Sequence, residues 1–334
     1  MSLSIAVVGA TGLVGRTMLR VLEEQSVPIS RLALFASARS AGSRLRYGAR
    51  QHVVRELSPD AFRDVDIAFF SAGSDVSRRF APIAADMGCA VIDNSSAWRM
   101  TRHVPLVVPE VNPEALVNHR GIIANPNCST IQMVVALKPL HDAWGLRRVI
   151  VSTYQAISGA GQSGIDQLMM EVRGKEPRQR RFPQQAAFNT MFHDFSHGAP
   201  ETEEETKIIQ ETRKIMGLPR LAISATCVRI PTLAAHGESV NIEFEQRVTA
   251  SGARRLLSRS PGIEVRDDPA AGLYPTVLEA GGQDKVFVGR IRTDRSRSNT
   301  LNLWVVADNV RKGAATNAVQ IAQALIDQRL ILRT

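Results

Sequence analysis

The chain has 334 residues, 44% of them hydrophobic and 22% charged, and a formal net charge of +9. That is the composition of a globular protein, and it is long enough for two domains with separate cores. Three cysteines make no disulfide framework and point to a reducing compartment, the cytoplasm; no apolar run is long enough for a bilayer, and the scattered basic residues carry no nucleic-acid motif, so the expected partners are small anions such as phosphates and carboxylates.

The N-terminal run has no basic stretch before its apolar residues, so a signal peptide is not expected. Residues 4–8 read as a buried strand, and Gly9-Ala10-Thr11-Gly12-Leu13-Val14-Gly15 follows at once, leading into a helix over 16–24. Strand, glycine turn and helix form the setting of a dinucleotide site, in which the backbone approaches a pyrophosphate and the helix N-terminus supplies N–H groups. The spacing is GxxGxxG rather than GxGxxG. A second strand over 32–35 ends without the acid that would bond a ribose 2′-hydroxyl. Arg39 and Ser40 follow instead, and a guanidinium beside a hydroxyl suits a 2′-phosphate, so NADP is expected over NAD.

A third buried strand over 65–70 ends in the small residues Ser71 and Gly73, as expected where a cofactor lies on backbone. A fourth covers 89–93, with Cys89 expected in the core. Alternating helices and strands up to this point indicate a parallel, doubly wound domain.

An apolar run then reaches Asn125-Pro126-Asn127-Cys128-Ser129-Thr130. Pro126 and the flanking asparagines force a turn, and the run from Ile131 to Leu137 is helical, which puts Cys128 at a helix start. Unpaired N–H groups and the helix dipole there favour a thiolate and could hold an oxyanion. A buried structural cysteine is the alternative on this stretch alone.

Beyond 147 the pattern changes. Strands are expected over 148–155, 223–230, 239–245, 286–292 and 300–307, with few helices between them, which indicates a mostly antiparallel sheet. Residues 173–203 read as loop, and 312–328 as helix. Four further stretches look chemical: Gln155 with the Gly-rich turn Ser158-Gly159-Ala160-Gly161; Glu204 and Lys207 at a helix start; Arg229 followed by His236; and Trp98-Arg99. Each has a structural alternative: Arg229 as an ion pair, Glu204 and Lys207 as a surface pair, Gln155 as a strand end, Arg99 as solvated.

The ordered set of motifs resembles the bacterial-type aspartate-β-semialdehyde dehydrogenases along essentially the whole chain. The resemblance rests on GATGLVG, ASARSAG, DNSSAWR, PLVVPEVN, NPNCST, STYQAISGAG, EETK, ATCVRIP with its later AH, FVGRIR and WVVADN. It implies a Rossmann-type cofactor domain of residues 1–127 plus 312–334 and an α+β catalytic and dimerisation domain of 128–311. The implied reaction is NADPH-dependent reductive dephosphorylation of L-4-aspartyl phosphate to L-aspartate 4-semialdehyde, reversibly, serving lysine, threonine, methionine and diaminopimelate biosynthesis.

By the same resemblance Cys128 forms a thioester, His236 is the acid/base that takes the thiol proton, and Gln155 orients the acyl group. Arg229 binds the substrate carboxylate and Glu204 its amino group. Arg99 and Lys207 bind phosphate. Gly9, Thr11, Gly12, Leu13, Val14, Arg39, Ser40, Ser71, Gly73, Ser158, Gly159 and Asn317 contact NADP. No metal, nucleic acid or membrane is implied, and the family forms dimers, with tetramers also occurring. The chain departs from the family before EETK, through the rearranged run 192–198, and at Thr316. The rival readings are N-acetyl-glutamyl-phosphate reductase and a non-catalytic paralogue that only binds a partner.

Overall fold

The computed structural model describes residues 2–195 and 198–331, so Ser196 and His197 of the run 192–198, and residues 332–334 of the expected cofactor domain, lie outside the described residues. The chain divides into two compact units, Met1–Asn127 with Ala314–Thr334, and Cys128–Gly313. The second unit ends at Gly313 rather than at the expected residue 311. Gly313 belongs there because it packs on Cys128 and its N–H donates to the Asp308 carbonyl.

Among the described residues the first unit holds one seven-stranded sheet. Its strands are β1 (Leu3–Val8), β2 (Ile29–Ala36), β3 (Arg44–Tyr47), β4 (Arg50–Glu56), β5 (Ile67–Phe70), β6 (Ala90–Asp93) and β7 (Ile122–Ala124), in the order β3-β4-β2-β1-β5-β6-β7. Only the β3–β4 pair is antiparallel. Alternate residues feed two cores, as a period of two requires. Ile5, Val7, Ile67 and Phe69 pack beneath helix α1 (Leu13–Glu24) and the C-terminal helix Asn317–Asp327. Ala6, Val8, Ala68 and Phe70 face helix α2 (Ser74–Asp86), with Phe62 stacked on Phe70.

The β3–β4 hairpin was not expected from sequence. Its residues are largely charged and exposed, and only Leu45 and Val54 are buried, so it lacks an apolar run. The glycine turn after β1 sits as the motif requires. Gly9 has φ +83°, and a Cβ there would collide with the Ser71 carbonyl.

The second unit carries a seven-stranded mixed sheet among its described residues. Its strands are β8 (Leu146–Gln155), β9 (Met191–Phe192), β10 (Ala222–Arg229), β11 (His236–Phe244), β12 (Ile263–Val265), β13 (Val286–Thr293) and β14 (Thr300–Ala307), ordered β12-β13-β14-β11-β8-β10-β9. Most neighbours are antiparallel; β8–β10 and β12–β13 are parallel. Helices α3 (Cys128–Trp144), α5 (Glu203–Met216) and α6 (Ala250–Leu257) cover one face, while α4 (Gln162–Val172) packs on the turn after β8. The other face leaves Tyr154 and Trp304 accessible, ring centroids 5.7 Å apart. Those rings line a largely apolar hollow of about 540 Å³ with Ile230, Leu273 and Tyr274.

Candidate active site

Strand register assembles the site in the second unit. Parallel pairing sets Arg229, the last residue of β10, beside Gln155, the last of β8. Antiparallel pairing sets Tyr154 opposite Gly237, so His236 opens β11 at the same end of the sheet. Gln155 thus meets Arg229 and His236, far along the chain, at one end of the sheet, where α3 begins with Cys128.

Cys128 Sγ lies 3.3 Å from His236 Nε2. The other ring nitrogen, Nδ1, accepts the backbone N–H of Ala156 at 2.9 Å. A backbone N–H can only donate, so Nδ1 holds a lone pair and the neutral ring carries its proton on Nε2, facing the sulfur. Burial, aided by the Arg229 charge, pushes the His236 pKa down to about 3. Ala235, just before it, has φ +65° and is held by its N–H to Asn309 Oδ1, which also accepts from Ser158 Oγ. That bond ties the Gly-rich turn to the start of β11.

The same residue, Ala156, also fixes Arg229. Its carbonyl accepts from Arg229 Nη1 at 2.6 Å, and the Phe182 ring lies 5.7 Å from the guanidinium. Gly159 leaves room for this arrangement: a Cβ there would stand 2.8 Å from Arg229 Nη1 and 3.6 Å from the His236 ring. Gln155 Nε2 reaches Ser129 Oγ at 2.9 Å, Glu204 Oε1 at 3.2 Å and Thr153 Oγ1 at 3.3 Å.

The glutamate cluster resolves by role. Glu205 closes a capping box with Thr202 and accepts the Cys227 N–H, and Glu203 lies exposed toward Lys207 at 3.5 Å. Glu204 is the one that meets Gln155, with Lys207 Nζ 3.8 Å from it. Cys89 and Cys227 are buried and Cys128 is partly accessible. Burial pushes the Cys227 thiol far up, and of the three sulfurs Cys128 is the accessible one.

A buried polar pair lies beneath Cys128 and His236. Gln132, one turn after Cys128 on α3, donates to the His236 carbonyl at 3.3 Å. Glu238, two residues along β11 from His236, is fully buried, and neither its carboxyl oxygens nor Gln132 Oε1 has a hydrogen-bond partner. Burial raises the Glu238 pKa well above the usual range, against the smaller opposing effect of the nearby Gln132 side chain. A neutral carboxyl avoids an uncompensated charge in this buried place.

The first unit holds the other expected residues. Gly9, Thr11, Gly12, Arg39, Ser40 and Ser71 line one cleft of about 680 Å³. Leu13 and Val14 open α1, and Gly73 precedes α2 at φ +88°. Arg79 also lines the cleft, a second guanidinium that sequence reading missed; it shows as an ordinary helix residue. Glu56 is the carboxylate of that lining. Arg99 is buried and donates to the carbonyls of Asn125 and Asn94, both at 3.0 Å. Asn317 is fully buried, donating to Asn125 Oδ1 at 2.7 Å and to the Val107 carbonyl at 3.0 Å.

Two family profiles match the chain. "Semialdehyde dehydrogenase, NAD binding domain" matches residues 4–119, and "Semialdehyde dehydrogenase, dimerisation domain" matches residues 137–312. The aspartate-semialdehyde dehydrogenase of Aquifex aeolicus is 52% identical over 99% of this chain and 100% of its own length. The chain belongs to the aspartate-semialdehyde dehydrogenase family.

Solved members of the family agree in fold. Vibrio cholerae aspartate semialdehyde dehydrogenase II, complexed with ASA, superposes with TM-score 0.92 at 46% identity, covering 98% of this chain and 99% of that one. The Candida albicans enzyme with NADP gives TM-score 0.78 at 26% identity, covering 99% and 100%. The family supports an NAD(P)-binding first unit and an oxidoreductase of amino-acid biosynthesis. Among the described residues no helix is long and apolar enough to cross a membrane.

Proposed function

We propose that the protein catalyses the reversible, NADPH-dependent conversion of aspartyl phosphate to aspartate semialdehyde and phosphate through a thioester on Cys128. The observation that carries this reading is the Cys128 Sγ–His236 Nε2 pair, with Gln155, Glu204 and Arg229 gathered at the same sheet edge.

The Cys128 thiolate attacks the acyl carbon, and its bond to carbon forms as the carbon–oxygen bond to phosphate breaks. NADPH, when bound, would supply the hydride that reduces the acyl group, and the carbon–sulfur bond then breaks to release the aldehyde and restore the Cys128 thiolate. His236 acts through its Nε2–H, donating to the thiolate and then to the oxygen that gains negative charge. The bond to Ala156 opposes protonation at Nδ1, so the ring serves as a fixed donor that holds the thiolate, and the proton of the partly accessible thiol leaves to solvent. Gln155 holds the acyl group. Arg229 meets the α-carboxylate with a planar fork, and Glu204 the ammonium. Arg99 and Lys207 are the proposed phosphate ligands.

The cofactor is NADP. The glycine approach at Gly9 suits a pyrophosphate, and Arg39, Arg79, Ser37 and Ser40 in the cleft supply the donors a 2′-phosphate needs. Ser158, Gly159 and Asn317, also expected to touch it, have structural partners as well: Ser158 and Gly159 around Asn309, Arg229 and His236, Asn317 beside Asn125. Two copies associate through the sheet face that carries Tyr154 and Trp304, an apolar surface of the kind that marks an interface.

A steady-state assay tests the reading. NADPH formation from aspartate semialdehyde, NADP and phosphate is expected. Activity only with the acetylated glutamate semialdehyde would overturn the substrate, and inactivity with both would favour a non-catalytic paralogue.

A further inference from the structure

His193 lies just past β9, in a stretch that sequence reading treats as loop. Antiparallel pairing of Phe192 with Val228 and of Met191 with Arg229 brings it to the site. Its Nδ1 is 3.3 Å from the Cys227 carbonyl, which can only accept, so Nδ1 carries a proton. Its Nε2 is 3.0 Å from Arg229 Nη2, which can only donate, and 3.0 Å from Gln155 Oε1, placed as an acceptor. One nitrogen therefore stands at equal distance from two partners that make opposite demands on it.

We propose that His193 is a positioning residue for substrate binding: neutral, it accepts from Arg229 and holds the guanidinium toward the substrate carboxylate; protonated, it donates to Gln155 and releases Arg229. The inference rests on the reading of Arg229 as the carboxylate anchor.

The geometry sets the consequences. Arg229 Nη1 is already bound to the Ala156 carbonyl, so the bond from Nη2 to His193 is the second that fixes the plane of the guanidinium. With both held, the fork meets a carboxylate without losing further freedom. A proton on Nε2 removes that acceptor and sets a second cation 3.0 Å from Nη2.

The groups acting on His193 are Glu204 and Lys207 from α5, Arg229 from β10, and the Cys227 carbonyl; Asp194 and Arg181 act on Arg229. Burial lowers the His193 pKa. Arg229 and Lys207 add to this, and Glu204 and the carbonyl oppose it, so the neutral form prevails at neutral pH and gives way on acidification.

The test measures KM for aspartate semialdehyde, KM for NADP and kcat from pH 5.5 to 8.5 in the full-length enzyme. For wild type, KM for the semialdehyde should rise on the acid side while KM for NADP stays flat. His193→Ala should raise the semialdehyde KM about tenfold at pH 8, with kcat within about threefold, as for lost ground-state positioning. His193→Gln keeps an acceptor and does not titrate, so it should recover most of the loss and flatten the acid rise. A thermal melt checks that each variant folds.

An unchanged KM in His193→Ala, or an acid rise that persists in His193→Gln, overturns the proposal. Arg229→Leu separates the two levels. If it leaves KM unaltered, the anchor reading itself is wrong; if it raises KM while His193→Ala does not, only the inference about His193 fails.

Discussion

The backbone N–H of Ala156 donates to Nδ1 of His236 at 2.9 Å, and this one bond decides what the histidine can do. A ring so held keeps its proton on Nε2, 3.3 Å from Cys128 Sγ. Protonating Nδ1 would set two N–H groups against each other. Burial and the Arg229 charge act in the same direction and bring the pKa down to about 3. Nitrogen-15 spectra of the imidazole are therefore expected to show the Nε2–H tautomer at pH 7, with no titration of this ring between pH 8 and pH 5. An Nδ1–H tautomer, or a midpoint near the ordinary value of about 6.5, would refute the assignment.

In the cofactor cleft, Arg39 and Arg79 face the same space as Ser37 and Ser40. A charge-assisted bond to a 2′-phosphate has no counterpart in NAD. Arg39→Ala should weaken NADP roughly ten- to a hundredfold and leave NAD nearly unchanged, the range expected for a hydrogen bond between charged groups. Titration calorimetry with each dinucleotide measures the difference, and equal losses would exclude contact with the 2′-phosphate.

Glu238 gives a stability prediction with a definite sign. Its folded pKa is raised by burial, so its contribution is fully present below the unfolded pKa of about 4.5 and declines as pH rises through the folded value. Above that unfolded pKa, folding takes up a proton. Glu238→Gln removes this linkage and keeps the hydrogen-bonding shape. The variant should melt higher than wild type at pH 8, by about a few degrees, and the gap should close toward pH 4.5. Melting curves with the same pH dependence for both proteins would mean that the carboxyl is ionised in the fold.

Much of this architecture is legible in the sequence where local chemistry speaks. Pro126 and its flanking asparagines announce a turn, and Cys128 does open a helix. The strand–glycine–helix start is equally direct, because Gly9 must accept the approach of Ser71. The hairpin β3–β4 escapes, since two buried residues in a charged stretch leave no periodic signal.

Residues that act through register also escape. Nothing near His193 marks it as a partner of Arg229, because only the pairing of β9 with β10 joins them. Glu238 falls just before the strand expected over 239–245, yet β11 begins at His236, so Glu238 shares the face of His236 and lies buried. In the glutamate cluster, the capping box of Glu205 is what sets Glu204 toward Gln155.

The central claim is a covalent intermediate on Cys128. The most direct test is intact and peptide mass spectrometry of the enzyme with aspartate semialdehyde and NADP, phosphate left out. The thioester should then accumulate, as one aspartyl group on the peptide containing Cys128, discharge on adding phosphate, and fail to form in Cys128→Ser. No adduct, or an adduct that persists in Cys128→Ser, would contradict the account.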